Sequence, residues 1–453
     1  MSGDLGSLGA DATPDQILCH VDMDCFYAAC ERLREPALEG QPLVVGMGYE
    51  SAETHGAVAT ASYEARAFGV ESAMAISEAL ERLPRKVEAA RDPDLDVEEA
   101  GFYRPVDLEY YDDVAADVKA VLHDAAEVVR EVSIDEAYLD VTDRVVWGGD
   151  DVSDDDVGDG DPHPVETFAR SLKERIEAEA GVVASVGVAP TMSAAKIASD
   201  YDKPDGLVVV EPGEVRDFLA PLDVAEIHNV GPVTARQLRE MGIETAGDLA
   251  AADPEDVREA FGERGLAVRR YARGEDPREV TPVGEPKSLS RESAFTEPTD
   301  DGERKREKVR ALAADVAERA QREGALYRTI GIKVVTPPYD VNTRAESLPG
   351  PVDDPDLLES TALDLLAEFA EEQVRKLGVR VSKLDFAESD QASLAGFEGR
   401  SSGTSDGETT DRATTDGERG ASAEDEADGD EAGEETGRAE PDPEGQRSLW
   451  EYE

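Results

Sequence analysis

The stretch Ser133-Ile134-Asp135-Glu136-Ala137-Tyr138-Leu139-Asp140 constrains this chain more than any other. It sets two adjacent carboxylates, Asp135 and Glu136, after an apolar run with helical spacing and before a short apolar stretch with strand character. Neighbouring side chains on a regular strand point to opposite faces, so both acids reach one centre only at a strand end, a bend or a turn. An arbitrary Asp-Glu pair in an acidic protein is simply two solvated charges. A second stretch, His20-Val21-Asp22-Met23-Asp24-Cys25-Phe26-Tyr27-Ala28-Ala29-Cys30, argues against that reading. There Ile17 to Val21 reads as a buried strand with Asp22 at its end. Three carboxylates on two strand ends suit hard divalent cations such as Mg2+, which take oxygen ligands and leave positions for phosphate and water. Two metals held in this way are a standard means of in-line phosphoryl transfer.

The chain around these acids reads as an α+β multidomain protein, because 453 residues exceed what one compact core usually holds. After the first strand, Tyr27 to Leu33 has helical character that Pro36 breaks, and Pro42 to Gly46 reads as a buried strand. Gly56 to Val70 is rich in small residues and carries Tyr63 and Arg66 one helical turn apart. Val114, Val118, Val121, Leu122, Ala125 and Val129 recur at helical spacing and predict an amphipathic helix leading into the central stretch. Phe168, Leu172 and Ile176 mark another helix, Val182 to Ala189 a buried strand, and Leu207 to Val210 a further strand after the turn Asp202-Lys203-Pro204-Asp205-Gly206. Ile227 to Leu238 reads as a helix-hairpin-helix around Val230-Gly231, whose backbone amides and following helix N-terminus can grip a DNA phosphate without net positive charge. Beyond a linker-like stretch, Lys287 to Phe295 and Tyr327 to Thr336 read as strands, residues from Val309 to Ala317 as a helix, Leu357 to Leu377 as a second helix and Val379 to Phe386 as a closing strand. The acidic run Val87 to Gly101 and the Gly/Asp loop Asp150 to Asp161 read as insertions. From Glu388 the composition turns to Gly, Ser, Thr, Asp and Glu with almost nothing to bury, which predicts disorder until aromatics return in the last eight residues.

Together these motifs resemble the Y-family DNA polymerases, on the DinB or DNA polymerase IV branch, from about Gln16 to about Phe386. The resemblance implies a right-hand polymerase: palm (16–25 and 102–210), fingers (26–101), a helical thumb with the helix-hairpin-helix (211–277), a linker (278–286) and a little finger (287–387). The acidic tail (388–445) and a terminal peptide (446–453) would follow. It further implies that Asp22, Asp135 and Glu136, with the Met23 carbonyl, hold two Mg2+ ions per active site, and that Asp24 is structural. Tyr27 matches the family's steric gate against a 2′-hydroxyl. Ala57, Ala59 and Thr60 would roof the new base pair, while Tyr63, Arg66 and Lys203 hold the deoxynucleoside triphosphate. Val230, Gly231, Thr234, Lys287, Ser288 and Arg291 would contact primer-template DNA. Asn229 stands where the family pattern usually has Gly, and Asn is among the residues that tolerate a left-handed backbone. Gln446, Leu449 and Tyr452 resemble a sliding-clamp-binding peptide, although the usual second adjacent aromatic is replaced by Glu453. The implied activity is low-fidelity, template-directed translesion synthesis by a monomer, with no segment resembling a proofreading exonuclease. A palm-domain nucleotide cyclase and a catalytically inactive DNA- or clamp-binding scaffold are the alternatives; the hairpin argues against the first and the full carboxylate set against the second.

No run of about 18 apolar residues or secretory signal is visible, which excludes a spanning helix from the expectation. Cys19, Cys25 and Cys30 fit no zinc spacing and form an odd set, so a cytoplasmic setting is expected. A net charge of −58 is the reverse of the usual nucleic-acid footprint. The tail does not account for it: residues from Glu388 carry 21 acids and five arginines, a net −16, which leaves −42 on the rest. Charge of this density points to adaptation to molar salt, where the Debye length falls to about 3 Å and repulsion from DNA is largely screened. Activity should therefore persist in molar KCl and fall when salt is removed. Circular dichroism and primer extension across a KCl series check this; best stability and activity at about 0.1 M, where the Debye length is about 10 Å, would refute it.

Overall fold

The computed structural model describes residues 16–49, 56–148 and 163–386. The Asp150–Asp161 loop, the acidic tail and the terminal peptide with Gln446, Leu449 and Tyr452 lie outside them. The chain falls into two compact units that meet between Glu285 and Pro286.

In the first unit the order is β1 (Leu18–Met23), α1 (Phe26–Arg34), β2 (Leu43–Gly46), β3 (Val58–Ala61), α2 (Tyr63–Arg66), α3 (Ile76–Arg82), α4 (Lys86–Ala89), β4 (Phe102–Arg104) and α5 (Leu108–Ala125). There follow β5 (Val128–Glu131), β6 (Glu136–Asp140), α6 (Pro164–Ala180), β7 (Ala184–Ala189), α7 (Met192–Tyr201), β8 (Leu207–Val209), α8 (Val215–Leu219), α9 (Pro232–Glu240), α10 (Ala246–Ala251) and α11 (Pro254–Ala272). A five-stranded sheet has the order β5-β6-β1-β7-β8. β1 is central and wholly buried, with Cys19, Val21 and Met23 on one face and Leu18, His20 and Asp22 on the other. Its Cys19, Val21 and Met23 join the core with α5 and α6, through Val114, Val118, Leu172 and Ile176 among others. Asp107 caps α5 by accepting from the Tyr110 amide, and α6 ends at Gly181, whose φ of 73° is the left-handed turn that releases the chain into β7.

The helical spacing that runs through Val129 misleads. α5 stops at Ala125, and Val129 lies in β5, antiparallel to β6. The Asp-Glu pair therefore follows a hairpin strand rather than a helix. β4 pairs with β2 in a separate three-stranded sheet, order β3-β2-β4, so residues 102–104 associate with the segment read as fingers. The first half of the linker-like stretch is also anchored: Val280 is buried with Leu18, Tyr138 and Met192, and Arg130 donates to the Thr281 carbonyl at 3.2 Å.

The second unit is one antiparallel sheet with two helices: β9 (Ser288–Thr299), α12 (Gly302–Arg322), β10 (Ala325–Thr336), β11 (Asp340–Val352), α13 (Pro355–Leu366) and β12 (Val374–Phe386), in the order β11-β10-β12-β9. Val309, Leu312, Ala313, Val316 and Ala317 of α12 are all buried against it. Two corrections arise here. β11 was not expected, because it is an edge strand exposed along most of its length and its sequence lacks an apolar alternation. The second helix is shorter than expected, and the closing strand begins at Val374 rather than Val379.

Lys305 of α12 is 1% exposed and donates to three carbonyls, of Phe369 (2.9 Å), Ala370 (2.7 Å) and Glu372 (3.0 Å). It thus ties α12 to the carbonyls of the segment that follows α13. Lys305→Met should cost about 2–3 kcal/mol by removing three charge-assisted hydrogen bonds. The exposed Arg322→Met should cost under about 0.5 kcal/mol. Denaturant unfolding of the full chain in molar KCl checks the difference, and equal losses would show that the buried ammonium contributes nothing.

Candidate active site

Asp22 lies on β1 directly opposite Glu136, the first residue of β6, in antiparallel register. Directly opposed residues share a face, so this pairing brings the two carboxylates together. Asp135 occupies the turn just before β6. Its carbonyl accepts from the Met23 amide at 2.9 Å, and its carboxylate accepts from Ser133 Oγ at 2.6 Å. The turn solves the problem of adjacency: Asp135 is free of the strand alternation that would send it away from Glu136.

Two lysines neutralise the cluster. Lys196 Nζ is 2.7 Å from Asp22 Oδ2 and 2.5 Å from Glu136 Oε1. Lys203 Nζ is 2.5 Å from Asp22 Oδ1, and both lysines reach Asp200, at 3.3 and 3.1 Å. Burial alone would raise the Asp22 pKa, but Lys196 and Lys203 together hold it well below the usual carboxylate range. Burial raises Glu136 above its ordinary value, with the charge of Asp22 adding to the rise and Lys196 opposing it. Burial likewise raises Asp135. Lys196 is shifted upward, since Asp22, Glu136 and Asp200 outweigh its desolvation.

His20 completes the floor of the site. Ser199 Oγ donates to the Lys196 carbonyl at 2.8 Å, so at 2.7 Å it accepts from His20 Nδ1–H. Nε2 then carries the lone pair, buried and without a partner among the described residues. Burial, followed by Lys196, pushes the imidazole well below its ordinary pKa and keeps it neutral. Donor atoms of His20, Asp22 and Glu136 lie within 4.8 Å of one another. A cluster dominated by carboxylate oxygens fits a hard divalent cation.

Asp24 is committed elsewhere. It accepts from Ser185 Oγ (2.9 and 3.0 Å), the Asp205 amide (2.7 Å) and Tyr63 Oη (3.1 Å), which ties β1 to β7, to the turn before β8 and to α2. Arg66 Nε donates to the Ala61 carbonyl at 3.0 Å, and its guanidinium lies 4.7 Å from the Tyr63 ring centroid. Ala59 and Thr60 are half-buried on β3, and Ala57 bridges to Ala75. Tyr27, one residue into α1, is half-buried; burial, with Asp135 and Asp112 adding, pushes its phenol up to about 12. In the hairpin, Asn229 has φ of 70°, which explains why a residue tolerant of the left-handed region stands there. Val230 is buried, Gly231 begins α9 as its N-cap, and Thr234 is half-buried in its first turn. Lys287, Ser288 and Arg291 belong to the second unit, beside or on β9.

The impB/mucB/samB family matches residues 21–200, its C-terminal domain residues 286–394, and the IMS family HHH motif residues 212–243. DNA polymerase IV of Halobacterium salinarum is 60% identical over 399 residues, which are 88% of this chain and 92% of that protein. DNA polymerase IV of Methanoculleus marisnigri is 38% identical over 386 residues, 85% of this chain and 99% of that one. The chain belongs to the Y family of DNA polymerases. Among solved structures, a Y-family chimera of Dbh and Dpo4 superimposes with a TM-score of 0.68 at 27% identity, covering 82% of this chain and all of the other. An insertion ternary complex of Dbh DNA polymerase gives 0.55 at 27% identity, covering 81% of this chain and 98% of the other. This is a DNA polymerase IV-type, translesion-class enzyme, and the halophilic reading of its charge agrees with its Halobacterium relative.

Of the residues read from sequence, Asp22, Glu136 and Lys203 meet in this polymerase. Asp135 stands in the adjoining turn with its carboxylate on Ser133, outside the donor atoms that lie within 4.8 Å of one another. Tyr27, Tyr63 and Arg66 lie on α1 and α2. Lys196 and Asp200 were given no role. Their signal is a spacing: Lys196 and Asp200 fall at i and i+4 on one face of α7, and Lys203 follows in the turn just beyond the helix.

Proposed function

We propose that this polymerase adds deoxynucleotides to a primer 3′ end by a two-metal mechanism, with low fidelity and without proofreading. The observation that carries the reading is the opposition of Asp22 and Glu136 across β1 and β6 with Asp135 in the adjoining turn. Asp22, Asp135, Glu136 and the Met23 carbonyl would hold two Mg2+ ions. When bound, such ions supply nucleophile activation and charge neutralisation for in-line phosphoryl transfer. Lys196 and Lys203 add fixed positive charge beside the carboxylates, where the triphosphate arrives. Tyr63, Arg66 and Lys203 then hold that triphosphate while Ala57, Ala59 and Thr60 roof the base pair. Small roof residues press little on the shape of the pair, which lowers discrimination and admits damaged templates. Tyr27 excludes ribose by its ring.

The same reading assigns palm (16–25 and 102–210), fingers (26–101), thumb (211–277), linker (278–286) and little finger (287–387) to a monomer working in the cytoplasm. DNA would be gripped by the hairpin at Val230, Gly231 and Thr234, whose backbone amides need no surplus of cations, and by Lys287, Ser288 and Arg291. The last eight residues are assigned to a sliding clamp, because Gln446, Leu449 and Tyr452 keep the glutamine–aliphatic–aromatic order at the tip of a long acidic segment.

Primer extension in high-salt buffer tests the function against a cyclase or an inactive scaffold. Asp135→Ala and Glu136→Ala should each abolish addition while DNA binding and the circular-dichroism spectrum persist. Near-normal extension by either variant would sink the metal assignment. Deleting Gln446 to Glu453 should leave distributive synthesis unchanged and remove clamp-stimulated synthesis; calorimetry showing the same clamp affinity with and without those residues would refute the docking assignment.

A further inference from the structure

Glu31 is 3% exposed, on the face of α1 that packs into the core beneath the sheet. A buried carboxylate is unfavourable unless its oxygens are well partnered. Among the described residues its one close donor is the Tyr111 hydroxyl, at 2.8 Å; the partly exposed Arg34 is 3.9 Å away. Tyr111 is fully buried on α5, and its ring stacks on that of Tyr27 with centroids 4.6 Å apart and planes 19° from parallel. Tyr27 and Glu31 stand at i and i+4 of α1, so they share a helix face. The three residues close a loop: α1 carries the gate ring, α5 supplies the ring beneath it, and Glu31 of α1 holds that ring by its hydroxyl. α1 and α5 are pinned again by Arg34 and Asp107, 2.8 Å apart.

We propose that Glu31 is a positioning residue for sugar selection, acting through the Tyr111 hydroxyl on the ring of Tyr27. The proposal rests on the reading of Tyr27 as the steric gate. A gate works by denying space to one oxygen atom, so its selectivity depends on how far the ring can recede. Ring stacking alone lets Tyr111 slide and tilt, because stacked aromatics tolerate lateral offset. The hydrogen bond to a buried carboxylate removes that freedom at the far end of the ring. No charge is asked of Glu31 at the substrate; its effect is confined to the backing of the gate.

Single-turnover extension by the full chain in molar KCl, with matched deoxy- and ribonucleoside triphosphates, separates this role from general stability. Tyr111→Phe keeps the stacked ring and removes only the hydroxyl. Glu31→Leu removes the acceptor, and Glu31→Gln restores an acceptor oxygen of the same reach. Tyr111→Phe and Glu31→Leu should each lower the deoxy-to-ribo ratio of kcat/KM about tenfold, through a gain in ribonucleotide use, with deoxynucleotide kcat/KM within about threefold of the parent. Glu31→Gln should retain most of the parent's selectivity. Should Glu31→Leu fail to fold, Tyr111→Phe carries the test alone. An unchanged ratio in Tyr111→Phe, or a parallel loss with both sugars, overturns the proposal while Tyr27→Ala still relaxes selection. If Tyr27→Ala leaves sugar selection unchanged, the gate reading itself falls and this proposal with it.

Discussion

The opposition of Asp22 and Glu136 across β1 and β6 is the constraint from which the rest of the site follows. Two carboxylates taken out of water repel each other, and each loses hydration worth several kcal/mol. Lys196 resolves this by contacting both, and Lys203 adds a second cation on the free oxygen of Asp22. The two acids shift in opposite directions: two ammonium groups hold Asp22 down against its burial, while burial, with the facing Asp22 adding, raises Glu136 against its one lysine.

The acidity of the chain sharpens the role of such local cations. With 104 acidic against 46 basic side chains, the chain as a whole carries no surplus of positive charge. Positive charge is fixed at short range by Lys196 and Lys203, and the proposed DNA grip relies on oriented backbone amides at the start of α9. Both devices work over a few ångströms and are therefore little affected by a Debye length of about 3 Å.

What the sequence discloses and what it hides divide along physical lines. The opposition of Asp22 and Glu136 is legible because an acid stands beside the buried Val21 and Met23 in one strand and another beside the buried Ala137 in the next. The hairpin is legible because Asn229, Gly231 and Pro232 have few other uses in that order. β5 is hidden because Val129 happens to continue the spacing of α5, and a four-residue strand has no period of its own to announce. β11 is hidden because an edge strand exposed on both faces needs no apolar alternation; its Thr343, Arg344 and Glu346 look like loop. Lys196 is hidden for a different reason. Its neighbours Ala194, Ala195 and Ala198 read as an ordinary small-residue helix, and nothing in one dimension says which sheet face that helix meets.

The smallness of those neighbours is itself the explanation for how α7 serves the site. Gly187 of β7 lies beneath α7, and a Cβ there would run into the Ala195 carbonyl and the Ser199 amide. Only glycine lets the helix backbone lie so close to the sheet. One side of α7 then places Lys196 and Ser199 over β1, where they meet Asp22, Glu136 and His20. Its Ala194, Ala195, Ile197 and Ala198 join the helical core built from α8 to α11. The helix that supplies the counter-charge is thus held by a glycine on one flank and by a packed core on the other. Any larger residue at 187 would meet the α7 backbone at Ala195, Ala198 and Ser199, the turn that carries Lys196.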